Sequence, residues 1–266
     1  PKILEFNADT PTSLLEASVI QWQWKEDVFP ECDQFNGIHE GLVQSWKDIF
    51  PKKGEIHFAG ALENNEDTGT LQYLASTAME AGFSTRVLDM QALDLQNGRF
   101  FDPAGELVNR CFKLYPWEWM VDESPDGCLA EMEWLEPIWK LVMSNKAILA
   151  TLYELFPDSP YVLPCYLSRP RSGLFCKKPV FFREGHNVGV VDIRNWEEHV
   201  RIAETEGDYN TGAYVYQEYV EPTVYSGRYP VIGSWIIGGE AAGIGIRENR
   251  MEVTDNLSEF VPHIIG

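Results

Sequence analysis

Between Glu55 and Asp89 the chain alternates in a way that few architectures accommodate. Glu55–Ala61 reads as a strand, and Thr68–Gly82 carries an apolar stripe at helical spacing that ends in a glycine. Arg86–Asp89 reads as a strand again. A helix of that length can cross over between parallel strands, so the segment is expected to be a βαβ unit. A further strand candidate, Leu107–Leu114, extends it into an α/β subdomain. Upstream, Phe35–Phe50 has the pattern of an amphipathic helix. Leu14, Leu15, Ser18, Val19 and Trp22 follow helical spacing behind a short strand, Lys2–Asn7. Asp9 or Thr10 can cap that helix, and Pro11 suits its first position.

The later part of the chain has a different grammar. The breakers Phe156–Pro160 and Ser168–Gly173 bracket a short strand, Tyr161–Leu167, and place a boundary near Asp158, giving regions 1–157 and 158–266. Lys177–Phe182 and Val188–Ile193 read as a hairpin with the polar tip Arg183-Glu-Gly-His-Asn187, and Ala213–Val220 alternates like a strand. Two β-branched runs, Pro230–Ile237 and Ala241–Ile246, flank the turn Gly238-Gly239-Glu240 and read as a second hairpin. Gly243 and Gly245 in its second strand are small enough for a ligand to approach the backbone. Arg247 follows at its end, either as a surface ion-pair partner or as a charge held at a site.

Charge and cysteine usage exclude several classes. A net charge of −20 argues against a general nucleic-acid binder and against docking to anionic membrane. It is compatible with a cationic partner such as a polyamine, although acidity is more often a solubility feature. The five cysteines are scattered without a C-x-x-C pair, which fits a reducing, cytoplasmic setting better than a disulfide framework or a zinc site. No run of about 18 apolar residues is present. The chain opens at Pro1 directly on a motif, as an N-terminally trimmed product would.

Several residues have types and spacings suited to chemistry. On a strand, Glu5 and Asn7 face the same side, and a carboxylate beside an amide oxygen suits Mg²⁺; a polar edge strand is the alternative. Lys146 is expected in the first turn of a helix capped by Ser144 or Asn145, where a cation is disfavoured unless it meets an anion. Arg183 and the amides of its Gly-containing loop can hold phosphate oxygens. Gln217 and Glu218 sit where a strand can meet an adenine, or are ordinary exposed strand residues. Glu66 is either a substrate-side acid or a solvated acid of the loop Leu62–Asp67. The aromatic run Leu114–Trp119 stacks on a ligand or fills space between domains, and His263 makes a structural hydrogen bond.

Taken in order, EFNADTPTSLLEA, EDTGTLQYL, LYPWEW, EPIWK with SNKAIL, LYELFP, KKPVFFREGHNV, VYQEYV, YPVIGSWIIGGEAAGIGIRE and FVPH resemble the synthetase part of the glutathionylspermidine synthase family. The pattern is most similar to stand-alone bacterial members that lack the amidase domain. The resemblance implies a mixed α/β and α+β, ATP-grasp-like fold, with a substrate- and metal-side lobe at 1–157 and an antiparallel nucleotide lobe at 158–266 around a nucleotide cleft. It implies an ATP-dependent ligase that activates a carboxylate as an acyl phosphate and passes it to an amine. The acid would be peptide- or glutathione-like and the amine a polyamine or amino acid. By resemblance, Glu5 and Asn7 are magnesium ligands, and Lys146 and Lys178 hold nucleotide phosphate. Gln217 lies in the adenine-side strand, Arg183 is on a mobile loop that reaches the acid's carboxylate, and Arg247 faces the transferring phosphoryl group. Thr10 and Thr12 replace serines near the peptide substrate, which leaves the acid's identity open, and Glu66 corresponds to a substrate-binding acid. The family's Arg-x-Asp motif would precede Pro1, so the chain is expected to lack one metal ligand and a substrate arginine, and to be inactive in this form. The competing reading is a catalytically silent relative that binds nucleotide as a module.

Overall fold

The computed structural model of the chain describes residues 1–181, 185–202, 204–205, 212–254 and 258–266. Packing divides it into two compact units, neither continuous in sequence. A parallel-sheet unit contains Ala8–Leu141, Ile232–Ile246 and Phe260–Gly266. An antiparallel-sheet unit contains Pro1–Asn7, Val142–Val231 and Arg247–Glu259.

The parallel-sheet unit begins with a π-helical turn, Glu16–Ile20, that runs into α1 (Gln21–Val28). Helical backbone starts only at Leu14, after Ser13 at φ 59°. Neither Asp9 nor Thr10 therefore caps it. After α2 (Ile38–Ile49), β1 (Glu55–Gly60), α3 (Asn65–Glu80) and β2 (Ser84–Asp89) form the expected βαβ unit, with Glu55 opposite Ser84 in parallel register. α3 starts earlier than its apolar stripe because the Asn64 side chain accepts from the Glu66 amide and caps it. Gly82, at φ 93°, ends it.

A small antiparallel sheet of β3 (Asp94–Gln96), β4 (Arg99–Phe101) and β5 (Leu107–Val108) follows. The expected strand Leu107–Leu114 is thus split at Asn109. Its first residues pair with β4, while β6 (Arg110–Leu114) pairs parallel to β1. α4 (Trp117–Glu123), α5 (Pro125–Cys128) and β7 (Glu133–Leu135) complete a parallel sheet in the order β2-β1-β6-β7.

One core cluster of this unit combines Leu14, Ile38, Trp46, Ile56, Phe58, Leu71 and Phe112. A second cluster holds Phe100, Met120, Trp117 and Trp134, the last two edge to face at 5.8 Å. Trp117 of the aromatic run is fully buried in this core, whereas Trp119 is exposed.

In the antiparallel-sheet unit, α6 (Lys140–Ser144) and α7 (Ile148–Leu155) precede β8 (Cys165–Tyr166), β9 (Gly173–Pro179), β10 (Gly189–Arg194), β11 (Glu197–Ile202) and β12 (Tyr214–Glu218). The sheet runs β11-β10-β9-β12-β8, antiparallel throughout. Leu149 of α7 packs against Cys165 and Val215, which is why the helix groups with these strands although it lies before Asp158. Pro164, with no amide hydrogen, shortens the expected strand Tyr161–Leu167 to two residues.

The second hairpin forms as expected from β13 (Tyr229–Ile237) and β14 (Glu240–Asn249), with Gly238 and Gly239 at φ 61° and 89° in the turn. β15 (Glu259–Val261) completes the order β13-β14-β15. The hairpin's tip half, Ile232–Ile246, counts with the parallel-sheet unit, where Trp235, Ile237 and Ala242 pack on the core. A Cβ on Gly243 would lie 2.9 Å from Ile38, and one on Gly245 3.0 Å from Phe260. Both glycines therefore serve close packing of the strand on its own core, not approach of a ligand. Among the described residues no helix is long and apolar enough to cross a membrane, and all five cysteines are free.

Candidate functional site

The N-terminal segment does not form the expected strand; residues 1–8 have no regular structure. The Ile3 amide donates to the Tyr161 carbonyl at 2.9 Å. Side chains hold the segment as well. Lys2 Nζ donates to the Pro160 carbonyl at 2.6 Å, Gln217 Nε2 to the Ile3 carbonyl at 2.9 Å, and Lys178 Nζ to the Leu4 carbonyl at 2.8 Å.

These bonds deliver Glu5 to a cluster of cations within the antiparallel-sheet unit. Lys146 Nζ lies 3.6 Å from Glu5 Oε2, and Asn7 Nδ2 donates to Glu5 Oε1 at 3.1 Å. Lys146 sits in the turn before α7 rather than in its first turn, because Asn145 Oδ1 accepts from the Ala147 amide and the helix begins at Ile148. The Lys146 amide donates to the Val180 carbonyl at 2.8 Å, which holds this turn beside the end of β9. Lys178 on β9 also donates to Gln217 Oε1 at 2.8 Å. Lys146, Lys178 and Gln217 are all buried.

Burial pushes the Glu5 carboxyl up, but Lys146, Lys178, the Asn7 amide and Arg247 on β14 together outweigh it and hold the group below the usual carboxylate range. Three fixed cations thus act on one carboxylate. That surplus of positive charge is what a polyanion such as a triphosphate would neutralise.

A divalent cation fits the donor set present. The Asn7 amide nitrogen faces Glu5; a half-turn of that amide, which exchanges its nitrogen and oxygen, would set Oδ1 beside the carboxylate and give two adjacent hard oxygen donors. Among the described residues no group of three or more His, Cys, Asp or Glu could hold a metal. One carboxylate plus an amide matches Mg²⁺, which usually completes its shell with water and substrate phosphates rather than a protein cage.

Other expected residues are placed differently. Glu218, next to Gln217, is exposed, and its amide donates to the Pro164 carbonyl at 2.7 Å. Thr10, half-buried, and Thr12, exposed, lie in the parallel-sheet unit just after Asp9. Glu66 belongs to the same unit, exposed in the first turn of α3 instead of in a loop, where its charge suits the helix terminus. Arg183 lies outside the described residues. His263 makes the expected structural contacts, Nδ1 at 3.0 Å from Gln21 Oε1 and Nε2 accepting from the Phe35 amide at 3.1 Å.

Sequence reasoning passed over Cys176, whose thiol is pushed up by burial and pulled back by Lys178, with Glu5 also acting on it. Its position two residues before Lys178 on one strand was the available signal, since alternation puts both on one face. Asp9, read as a cap, instead accepts from Lys113 Nζ at 2.6 Å and from the Trp117 amide at 2.8 Å.

The architecture is that of an ATP-grasp-like, mixed α/β protein. A glutathione synthetase-like effector from Globodera pallida superposes with a TM-score of 0.59 over all of this chain and 71% of its own, at 11% identity. A candidate γ-glutamylcysteine synthetase from Methylobacillus flagellatus gives 0.57 over 92% of this chain and 84% of its own, at 9% identity.

The particular family is given by sequence: the chain belongs to the glutathionylspermidine synthase preATP-grasp family, which it matches over residues 1–266. It is 38% identical to a candidate acid–amine ligase of Haemophilus influenzae, over 98% of this chain and 70% of the relative. It is 28% identical to the trypanothione synthetase of Crithidia fasciculata and 26% identical to the bifunctional glutathionylspermidine synthetase/amidase of Escherichia coli. These alignments cover 97% and 99% of this chain but only 44% and 47% of those two proteins.

Proposed function

We propose that the protein acts as an ATP-dependent carboxylate–amine ligase, joining a peptide- or glutathione-like acid to a polyamine-like or amino-acid amine. The observation that carries this reading is the convergence of Lys146, Lys178 and Arg247 on Glu5 with Asn7 beside it. Relatives named as an acid–amine ligase and as trypanothione and glutathionylspermidine synthetases support the reaction class.

A carboxylate is a poor acylating agent, and Mg-ATP would supply the phosphoryl group that turns it into an acyl phosphate. Glu5 and Asn7 would hold the cation. Lys146 and Lys178 would bind phosphate oxygens, and Arg247 would neutralise charge as it develops on the transferring group. Arg183 would meet the acid's own carboxylate. Glu218 and the backbone at Gln217 would border the base. Thr10, Thr12 and Glu66 would serve the acid and amine, so the antiparallel-sheet unit is the nucleotide side and the parallel-sheet unit the substrate side. The amine then attacks the acyl carbon, the C–N bond forms, and inorganic phosphate leaves.

The test is phosphate release from Mg-ATP that requires both an added acid and an added amine. Arg247→Ala should lower it by about three orders of magnitude or more, as losing a phosphoryl-stabilising arginine does, while the circular-dichroism melt stays in place. Undiminished turnover in that variant removes Arg247 from the reaction. ATP binding without acceptor-dependent release would instead identify a silent nucleotide-binding relative.

A further inference from the structure

Gln217 is 2% exposed and sits on β12, opposite Cys176 of β9 on one side and Cys165 of β8 on the other. A buried primary amide must satisfy both of its ends. Its neighbours fix which end is which. The Lys178 ammonium only donates, so it faces Oε1 at 2.8 Å; the Ile3 carbonyl only accepts, so it takes a hydrogen from Nε2 at 2.9 Å. Lys178 donates onward to the Leu4 carbonyl at 2.8 Å. Two consecutive carbonyls of a segment with no strand pairing are thereby held by one amide–ammonium couple, and the next residue is Glu5. Each end of the Gln217 amide already holds one partner, so one donor and one acceptor of the side chain are committed to the segment and not to a base.

We propose that Gln217 is a positioning residue: through Lys178 and the carbonyls of Ile3 and Leu4 it fixes the Glu5-x-Asn7 segment to the sheet, and so sets how tightly the divalent cation is held. This inference rests on the ligase reading for its metal–nucleotide ligand and adds a device that the reading does not require. The same couple orients the Lys178 ammonium, so loss of the amide loosens the segment and the lysine together.

Two isosteric variants test it. Gln217→Met removes both hydrogen bonds, and Gln217→Glu keeps the partner of Lys178 but cannot donate to the Ile3 carbonyl. In the ligand-free protein, backbone amide exchange over residues 3–7 should quicken roughly ten-fold in Gln217→Met, the size expected for losing a buried hydrogen bond or two, with α2 and α3 unchanged. The Mg²⁺ concentration that half-saturates ATP-induced thermal stabilisation should rise by a similar, roughly ten-fold factor in both variants. A merely structural role would lower the melting temperature without moving that Mg²⁺ midpoint.

Wild-type exchange over residues 3–7 in Gln217→Met, or an unmoved Mg²⁺ midpoint in both variants, overturns the proposal. So does a loss of preference for ATP over GTP with the Mg²⁺ midpoint intact, which would make Gln217 a base reader. If the wild-type protein shows no Mg-ATP response at all, the ligase reading falls, and the exchange experiment alone still decides whether Gln217 anchors the segment.

Discussion

Two buried lysines, one in each unit, solve the same problem in opposite ways. Lys113 is wholly buried on β6 and meets a full counter-charge, Asp9 Oδ1 at 2.6 Å, with the Tyr115 carbonyl at 2.8 Å and the Trp117 ring 4.2 Å away. Lys178 is nearly as buried on β9, yet its close partners are the neutral Gln217 amide and the Leu4 carbonyl. Burying an ammionium group without a carboxylate at contact distance is unfavourable unless hydrogen bonds or an arriving anion compensate. The first lysine is a closed account within the fold. The second keeps its field available, and Glu5, held among Lys146, Lys178 and Arg247, does not cancel it.

That contrast is broken most violently at the closed pair. Asp9→Asn leaves the Lys113 ammonium buried beside a neutral group, and should lower unfolding free energy by about 3–5 kcal/mol. Adding Lys113→Met to it should recover most of the loss, because a packed apolar side chain replaces the stranded charge. Urea titrations of the single and double variants check both points. A single-variant effect below about 1 kcal/mol would mean that the pair is not the anchor its geometry describes.

The open lysine should answer differently. Lys178→Met removes a cation that has no carboxylate at contact distance among the described residues and leaves the Leu4 carbonyl and Gln217 Oε1 short of a donor, a loss of about 1–3 kcal/mol. Its larger signature is functional: the thermal stabilisation conferred by Mg-ATP should vanish, while Asp9→Asn, if enough of it folds to be measured, retains it. Equal retention by both variants would erase the distinction between the two lysines.

Much of this organisation was legible in the sequence, and the gaps have identifiable causes. The βαβ unit and the 229–249 hairpin were readable because periodicity and turn glycines agree with the pairing that forms. The Lys2–Asn7 strand was misread because alternation describes side chains and cannot supply a partner strand; the segment is tied by Lys2, Lys178 and Gln217 instead. The cap assigned to Asp9 failed for a similar reason. Its true partner, Lys113, is 104 residues away, and local spacing carries no information about it. The cationic cluster was named residue by residue through resemblance, whereas the hydrogen bonds by which Gln217 joins Lys178 to the Ile3 carbonyl are visible only in the folded chain.

A buried histidine adds a last way of handling charge, by giving it up. His57 on β1 is 2% exposed, and among the described residues neither ring nitrogen makes a hydrogen bond of ordinary geometry, the backbone of Arg110 giving only a weaker contact; Glu55 Oε2 lies 3.6 Å from Nε2. Burial lowers its pKa, aided by the Arg86 guanidinium, against the opposing pull of Glu55, Asp102 and the Arg110 backbone. The folded chain therefore holds this imidazole neutral at pH values where the unfolded chain binds a proton. Stability from this group is complete above the ordinary histidine range and declines as the pH falls below it, levelling off once the folded form is protonated too. One proton bounds the slope at about 1.4 kcal/mol per pH unit. His263 shifts in the same direction and adds to the wild-type slope, as do the lowered carboxyls of Glu5 and Glu198 at the acid end of the range. Denaturant titrations between pH 7.5 and roughly pH 5 should show wild-type stability falling and His57→Leu falling less steeply. Parallel curves would mean that His57 is protonated in the fold, paired with Glu55 in the manner of Lys113 with Asp9, and would move it from the neutralised class to the paired one.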